Sequence, residues 1–174
     1  ENLLLDHLIK ISESKEEKLF LLEKYLNNIT TTVYRQVMFA EFESLTHSKA
    51  ESGEALTPDV LCKLYKDVYQ KYWGPEMKID EEESYTWARV PHFYYNFYVY
   101  QYATGFAASE ALALKVKSEG EPAVQKYLDF LKAGSSDYPI NILDKAGVNM
   151  NSQEPILAVT TKMNQIIDEI ENLI

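Results

Sequence analysis

The residues best suited to chemistry stand in one run: Trp87-Ala88-Arg89-Val90-Pro91-His92-Phe93-Tyr94-Tyr95-Asn96-Phe97-Tyr98-Val99-Tyr100-Gln101-Tyr102-Ala103-Thr104-Gly105. Five of the chain's thirteen tyrosines, Tyr94, Tyr95, Tyr98, Tyr100 and Tyr102, fall inside it. A phenol with an ordinary pKa of about 10 stays protonated at neutral pH, so it donates to a developing oxyanion without changing charge. An imidazole beside it can donate too, or orient a carbonyl. The plainer reading is an aromatic core whose hydroxyls find partners at the domain edge. Both stay open here, because no nucleophile or metal that would generate an oxyanion accompanies the run.

Spacing suggests how these side chains meet. Pro91 suits the first turn of a helix, and a helix is expected over residues 92–118. At about 100° per residue, Tyr95 and Tyr102 then lie nearly superimposed two turns apart, with His92 and Tyr98 flanking that face. Tyr100 points away and Tyr94 sits to one side.

The other candidates for chemistry fail on inspection. His7 and His47 have no histidine four residues on, so the chain contains no zinc-binding H-E-x-x-H and both read as ordinary surface or partly buried residues. Cys62 lies in an amphipathic run without a nearby histidine and reads as a small buried residue. No G-x-S-x-G elbow or glycine-rich phosphate cradle occurs. Asp80-Glu81-Glu82-Glu83 reads as a solvated helix start, since cation loops space their oxygen ligands around a glycine turn.

The elements that position these residues are helices. The six glycines and six prolines fall as punctuation between helix-length segments. Over residues 15–48, Leu19, Leu22, Leu26, Ile29, Val33, Val37, Ala40 and Phe42 recur at threes and fours, while Glu16, Glu17, Lys24, Asn27, Arg35, Gln36 and Glu43 fill the other side. One long amphipathic helix is expected there. Thr57-Pro58-Asp59 supplies a hydroxyl cap, a first-turn proline and an early acid, and Val60, Leu61, Leu64, Tyr65, Val68 and Tyr72 follow at helical spacing before Gly74-Pro75. Further helices are expected over 121–133, 140–146 and from 153 to the end. No sustained period-two alternation appears, so the expected fold class is all-α, with residues 1–174 as a single helical unit.

Composition narrows the function classes. The chain is 46% hydrophobic, enough for a packed core. Seventeen Lys and Arg against 27 Asp and Glu leave a net charge of −10, which repels nucleic-acid phosphates and anionic lipid alike. Neither nucleic acid nor a membrane is an expected partner, and no run approaches the roughly 18 apolar residues of a spanning helix. The lone Cys62 forbids an internal disulfide and suits a reducing compartment, so a cytoplasmic location is expected.

The run from Pro91 to Gly105 resembles the signature downstream of the zinc site in oligoendopeptidase F, of the thimet-oligopeptidase-like zinc metallopeptidases. Glu1-Asn2-Leu3-Leu4-Leu5-Asp6-His7, the stretch Thr32-Val33-Tyr34-Arg35-Gln36-Val37-Met38-Phe39-Ala40-Glu41-Phe42-Glu43, and Gly134-Ser135-Ser136-Asp137-Tyr138-Pro139 with Ala146-Gly147-Val148 resemble that family in the same order. The resemblance covers essentially the whole chain. It implies an α-helical zincin-type oligopeptidase with a deep channel that admits short oligopeptide substrates and hydrolyses their internal bonds. In such enzymes zinc is held by the two histidines of H-E-x-x-H and a downstream glutamate, with the motif glutamate as general base. Those ligands are expected before Glu1, so this chain resembles the C-terminal portion of the catalytic region and is expected to be inactive alone. By the resemblance Tyr102 donates to the oxyanion, His92 contacts the substrate backbone near the scissile bond, and Tyr95 lines the site. Tyr98 is assigned to substrate binding on shared-face geometry alone. A fragment of this kind would expose apolar surface, favouring association with the missing N-terminal part or with a second copy. The alternative is a non-catalytic helical module that binds peptides without cleaving them.

Overall fold

The computed structural model describes residues 1–174. Its elements are α1 (Asn2–Ile11), α2 (Lys15–Ile29), α3 (Arg35–Glu51), α4 (Pro58–Trp73), α5 (Tyr100–Glu119), α6 (Glu121–Ala133), α7 (Pro139–Lys145) and α8 (Glu154–Leu173). A π-turn at Thr30–Tyr34 and two 3₁₀ segments, Glu81–Arg89 and Pro91–Tyr94, complete the helical set, and no strand occurs. The expected all-α class holds.

The long helix expected over 15–48 is interrupted at Thr30-Thr31-Thr32. Thr30 Oγ1 donates to Leu26 O at 2.9 Å and Thr31 Oγ1 to Asn27 O at 2.8 Å. Hydroxyls that compete for carbonyls of the preceding turn loosen the i→i−4 ladder, and a π-turn results. Helix α4 starts where Thr57 was expected to cap it, the hydroxyl accepting from Val60 N–H at 3.3 Å with Pro58 in the first turn. Thr57→Ala is expected to cost about 1 kcal/mol, read as a lower unfolding midpoint in thermal denaturation. The acidic run does begin a helix, Asp80 preceding the 3₁₀ segment Glu81–Arg89.

The chain resolves into two compact units, one formed by residues 1–33 with 104–174, the other by 34–103. In the first, α2 packs on α1 and α8, and α6 on α7. Its core gathers Leu5, Leu21, Leu22, Tyr25, Ile29, Phe106, Val159 and Ile166, with a second cluster around Leu112, Val148 and Ala158. A polar network is sealed beside this core. Glu110 is 4% exposed, and its Oε2 accepts from Asn2 Nδ2 at 2.7 Å and from the Tyr25 hydroxyl at 2.9 Å. Asp6 pairs with Lys117 and Lys162 nearby, and the Lys162 ammonium lies 5.0 Å from the Tyr25 ring centre.

In the second unit α4 packs on α3 and on the 3₁₀ segment Glu81–Arg89. Met38, Phe39, Phe42, Tyr65, Val68 and Val99 form its core. Aromatic edges knit it together: Phe42 meets Tyr65 at 5.3 Å and Phe93 at 5.1 Å between ring centres, and Phe39 meets Phe93 at 5.3 Å. Cys62, expected buried, is only partly so. Its sulfur accepts from Trp87 Nε1 at 3.4 Å at the rim of this core.

Candidate functional site

The helix expected over 92–118 does not start at Pro91. Pro91–Tyr94 form a single 3₁₀ turn, residues 95–99 are irregular, and α5 begins only at Tyr100. Two burial sites explain the difference. Phe93 packs between Phe39 and Phe42, and Val99 is fully buried in the same core. Six residues apart on a helix, these two would point roughly 120° apart, too far for both to face one core. The chain therefore breaks between them. Asn96 and Phe97 take left-handed conformations, with φ of 51° and 60°. Asparagine tolerates that region, whereas a phenylalanine there costs about 1–2 kcal/mol.

The break brings the expected site residues together more closely than a helix could. Across ten residues a helix would separate His92 from Tyr102 by about 15 Å along its axis. Here the Tyr102 hydroxyl lies 3.0 Å from His92 Nε2. The His92 ring stacks on Tyr98 with centres 5.6 Å apart and planes at 15°, and meets Tyr95 and Tyr102 edge-on at 6.1 and 5.5 Å. Tyr98 contacts Tyr95 at 6.0 Å and Tyr102 at 5.6 Å. All four candidates thus form one cluster, while Tyr94 and Tyr100 are exposed.

The cluster is not an aromatic core. Tyr95 is 59% exposed, and Tyr98 and Tyr102 also present surface to solvent. Val99, fully buried, and Phe93, partly buried, anchor the run in the core, and the phenols are left outside. Loss of water around Tyr102, then hydrogen bonding and charge repulsion from the Tyr98 phenol, raise the Tyr102 pKa above its ordinary value. Tyr102 is therefore a neutral hydroxyl at pH 7. When His92 Nε2 carries no proton the phenol donates to it; when Nε2 is protonated the ring donates instead, and the phenol proton is free for another acceptor.

Glu43 was expected on the polar face of its helix and is buried instead, only 3% exposed. Its Oε1 accepts from the backbone N–H of Phe97 at 2.8 Å, inside the left-handed pair. One turn on, the His47 ring lies 4.2 Å from the Phe97 ring, centre to centre. A signal for this was present in the sequence. Four residues after Phe39 and one after Phe42, Glu43 sits on the apolar stripe of α3 and not opposite it. No group of three or more His, Cys, Asp or Glu side chains is placed to hold a metal ion. No helix is long and apolar enough to cross a membrane.

What the cluster can do follows from its parts: exposed, neutral hydroxyls and one imidazole, held on a short strained loop, offer donors to a carbonyl oxygen and flat faces to a substrate. Known proteins contain similar stretches. It is 51% identical over all 174 residues to oligopeptidase PepF of Bacillus subtilis, and 45% identical over 174 residues to the plasmid oligoendopeptidase F of Lactococcus lactis subsp. cremoris. It spans 26% of the first protein's length and 29% of the second's. Among solved structures, oligoendopeptidase-F from Enterococcus faecium superposes with a TM-score of 0.95 at 40% identity, over 99% of this chain and 33% of that one. The model of peptidase family M3 matches residues 1–161, and the chain belongs to that family.

Proposed function

We propose that this chain is the histidine and tyrosine wall of a metalloendopeptidase that hydrolyses internal bonds of short oligopeptides in the cytoplasm. The observation that carries the reading is the Tyr102 hydroxyl 3.0 Å from His92 Nε2, in a cluster exposed to solvent and backed by a core. In this reading Tyr102 donates to the oxyanion that forms as water adds to the scissile carbonyl. His92 donates to the substrate backbone, and with its Nε2 protonated the Tyr102 proton is free for the oxyanion. Tyr95 and Tyr98 supply flat, half-wet surfaces for the peptide chain, and the cluster lines a deep channel in the complete protein. The relatives' greater length supports a missing N-terminal part as the partner of this chain.

The metal in this reading is zinc. The residues of this chain do not fit a zinc site, since no cluster of ligating side chains exists in it, and its ligands belong to the rest of the protein. The contribution of the chain is hydrogen bonding and substrate contact, which need no metal ligand of its own.

The test starts with the coding frame upstream of Glu1, which is expected to encode H-E-x-x-H followed by a helical glutamate. The complete polypeptide should cleave short internally quenched peptides, lose that activity to a chelator and regain it with zinc. The 174-residue chain alone should cleave nothing. Tight peptide binding by the complete polypeptide without cleavage, with or without zinc, would replace this reading with a non-catalytic peptide-binding module.

A further inference from the structure

The tyrosine cluster depends on a backbone conformation that its own sequence disfavours. Two consecutive residues other than glycine, Asn96 and Phe97, stand at positive φ, and the second carries a bulky side chain. Such a pair persists only where surrounding structure over-determines it. Phe93 on one side and Val99 on the other fix the ends of the loop in the core. The polar contact found at the strained pair itself is the Phe97 N–H to Glu43 Oε1 bond, 2.8 Å long and made by a carboxylate shielded from water. A side-chain oxygen withdrawn from water is a strong acceptor for a backbone donor, and that donor has no such partner if the loop relaxes.

We infer that Glu43 is a positioning residue for the His92, Tyr98 and Tyr102 constellation: by accepting from Phe97 N–H it holds the left-handed pair and so brings Tyr98 and Tyr102 against His92. His47 supports it by packing its ring on Phe97 one turn further along α3. What matters in this role is the reach of an oxygen acceptor to Phe97, not the charge it carries. The structural part of the inference stands by itself, and the kinetic part rests on the peptidase reading above.

Two variants of the complete protein separate reach from charge. Glu43→Gln keeps the length of the side chain and an acceptor oxygen, and removes the charge. Glu43→Asp keeps the charge and withdraws the carboxylate by one carbon–carbon bond, about 1.5 Å. In crystal structures, Glu43→Gln is expected to keep Phe97 at positive φ with Tyr102 in hydrogen-bond contact with His92. Glu43→Asp is expected to lose both. On a short peptide substrate, kcat should stay within about threefold for Glu43→Gln and fall on the order of ten- to a hundredfold for Glu43→Asp, with KM moved little. The inference is overturned if Glu43→Asp keeps the cluster geometry, or if Glu43→Gln loses it. Should Glu43→Asp not fold, the Glu43→Gln crystal structure decides alone: Phe97 N–H bonded to the amide oxygen with Tyr102 against His92 is the expected result, and loss of either overturns the inference. If neither parent nor variants cleave any peptide, the peptidase reading falls, and the crystal geometry of the same variants still decides the role of Glu43.

Discussion

Tyr102→Phe in the complete protein is expected to lower kcat by about 10²–10³-fold, or about 2.7–4 kcal/mol, and to leave KM nearly unchanged. The substitution removes one oxygen and keeps the ring, so its packing against His92 and Tyr98, at 5.5 and 5.6 Å between centres, survives. On the proposed function, what is lost is a donor whose partner, the oxyanion, exists only in the transition state, which is why the loss would fall on kcat. Because the Tyr102 pKa is raised, the phenol stays protonated through the neutral range. The complete parent protein should therefore show no activity loss attributable to this group between pH 6 and pH 8, as ordinary phenol titration lies near 10. Steady-state kinetics on one short peptide checks both statements. Equal kcat for variant and parent would remove Tyr102 from the chemistry; an unchanged kcat with raised KM would make it a ground-state contact.

The second large effect is on stability. Glu110→Ala is expected to destabilise the protein by about 3 kcal/mol, because it leaves the Tyr25 hydroxyl buried without its acceptor and the Asn2 amide with only the Ser109 hydroxyl, 3.2 Å away. Glu110→Gln, which restores an acceptor of the same length, should be as stable as the parent at pH 7 or more so. The reason lies in the direction of the Glu110 pKa, raised chiefly by burial and further by Asp6, against the lowering influence of Tyr25, Lys162 and Lys117. A carboxyl whose folded pKa is raised binds its proton more tightly in the native state. Its contribution is then fully present below the unfolded value, near 4.3, and declines as pH rises through the folded value. The parent should lose part of its unfolding midpoint between about pH 4 and the folded pKa, and Glu110→Gln should flatten that slope. Thermal unfolding across this range is the measurement. A glutamine variant as unstable as the alanine one would show that the Asp6, Lys117 and Lys162 charges need the Glu110 carboxylate ionised.

The helical elements were legible where caps and breakers coincide with periodicity. Helix α4 runs from the proline after Thr57 to the residue before Gly74, and α6 occupies residues 121–133 as expected. Local signals suffice there because a cap hydroxyl, a first-turn proline and a terminal glycine act within four residues of the backbone groups they satisfy. The same logic misled at Pro91, where a proline and helically spaced aromatics satisfy every local rule. A single helix would have left either Phe93 or Val99 outside the core, and burying both outweighs the hydrogen bonds lost between them. Glu43 was misplaced for a related reason. A charge is ordinarily assigned to water, and only the arrival of a backbone N–H from a loop 54 positions away makes its burial acceptable.

By itself, then, the amino-acid sequence determined the all-α class, the places where most helices start and stop, and His92, Tyr95, Tyr98 and Tyr102 as a group able to donate hydrogen bonds. These depend on residue types and on periodicity within a few turns. The tertiary structure decided how that group is assembled: through a broken loop with two left-handed residues, anchored by Phe93 and Val99 and held by Glu43. Long-range burial made that choice, since it is settled by which core each side chain can reach and not by the preferences of the residues beside it.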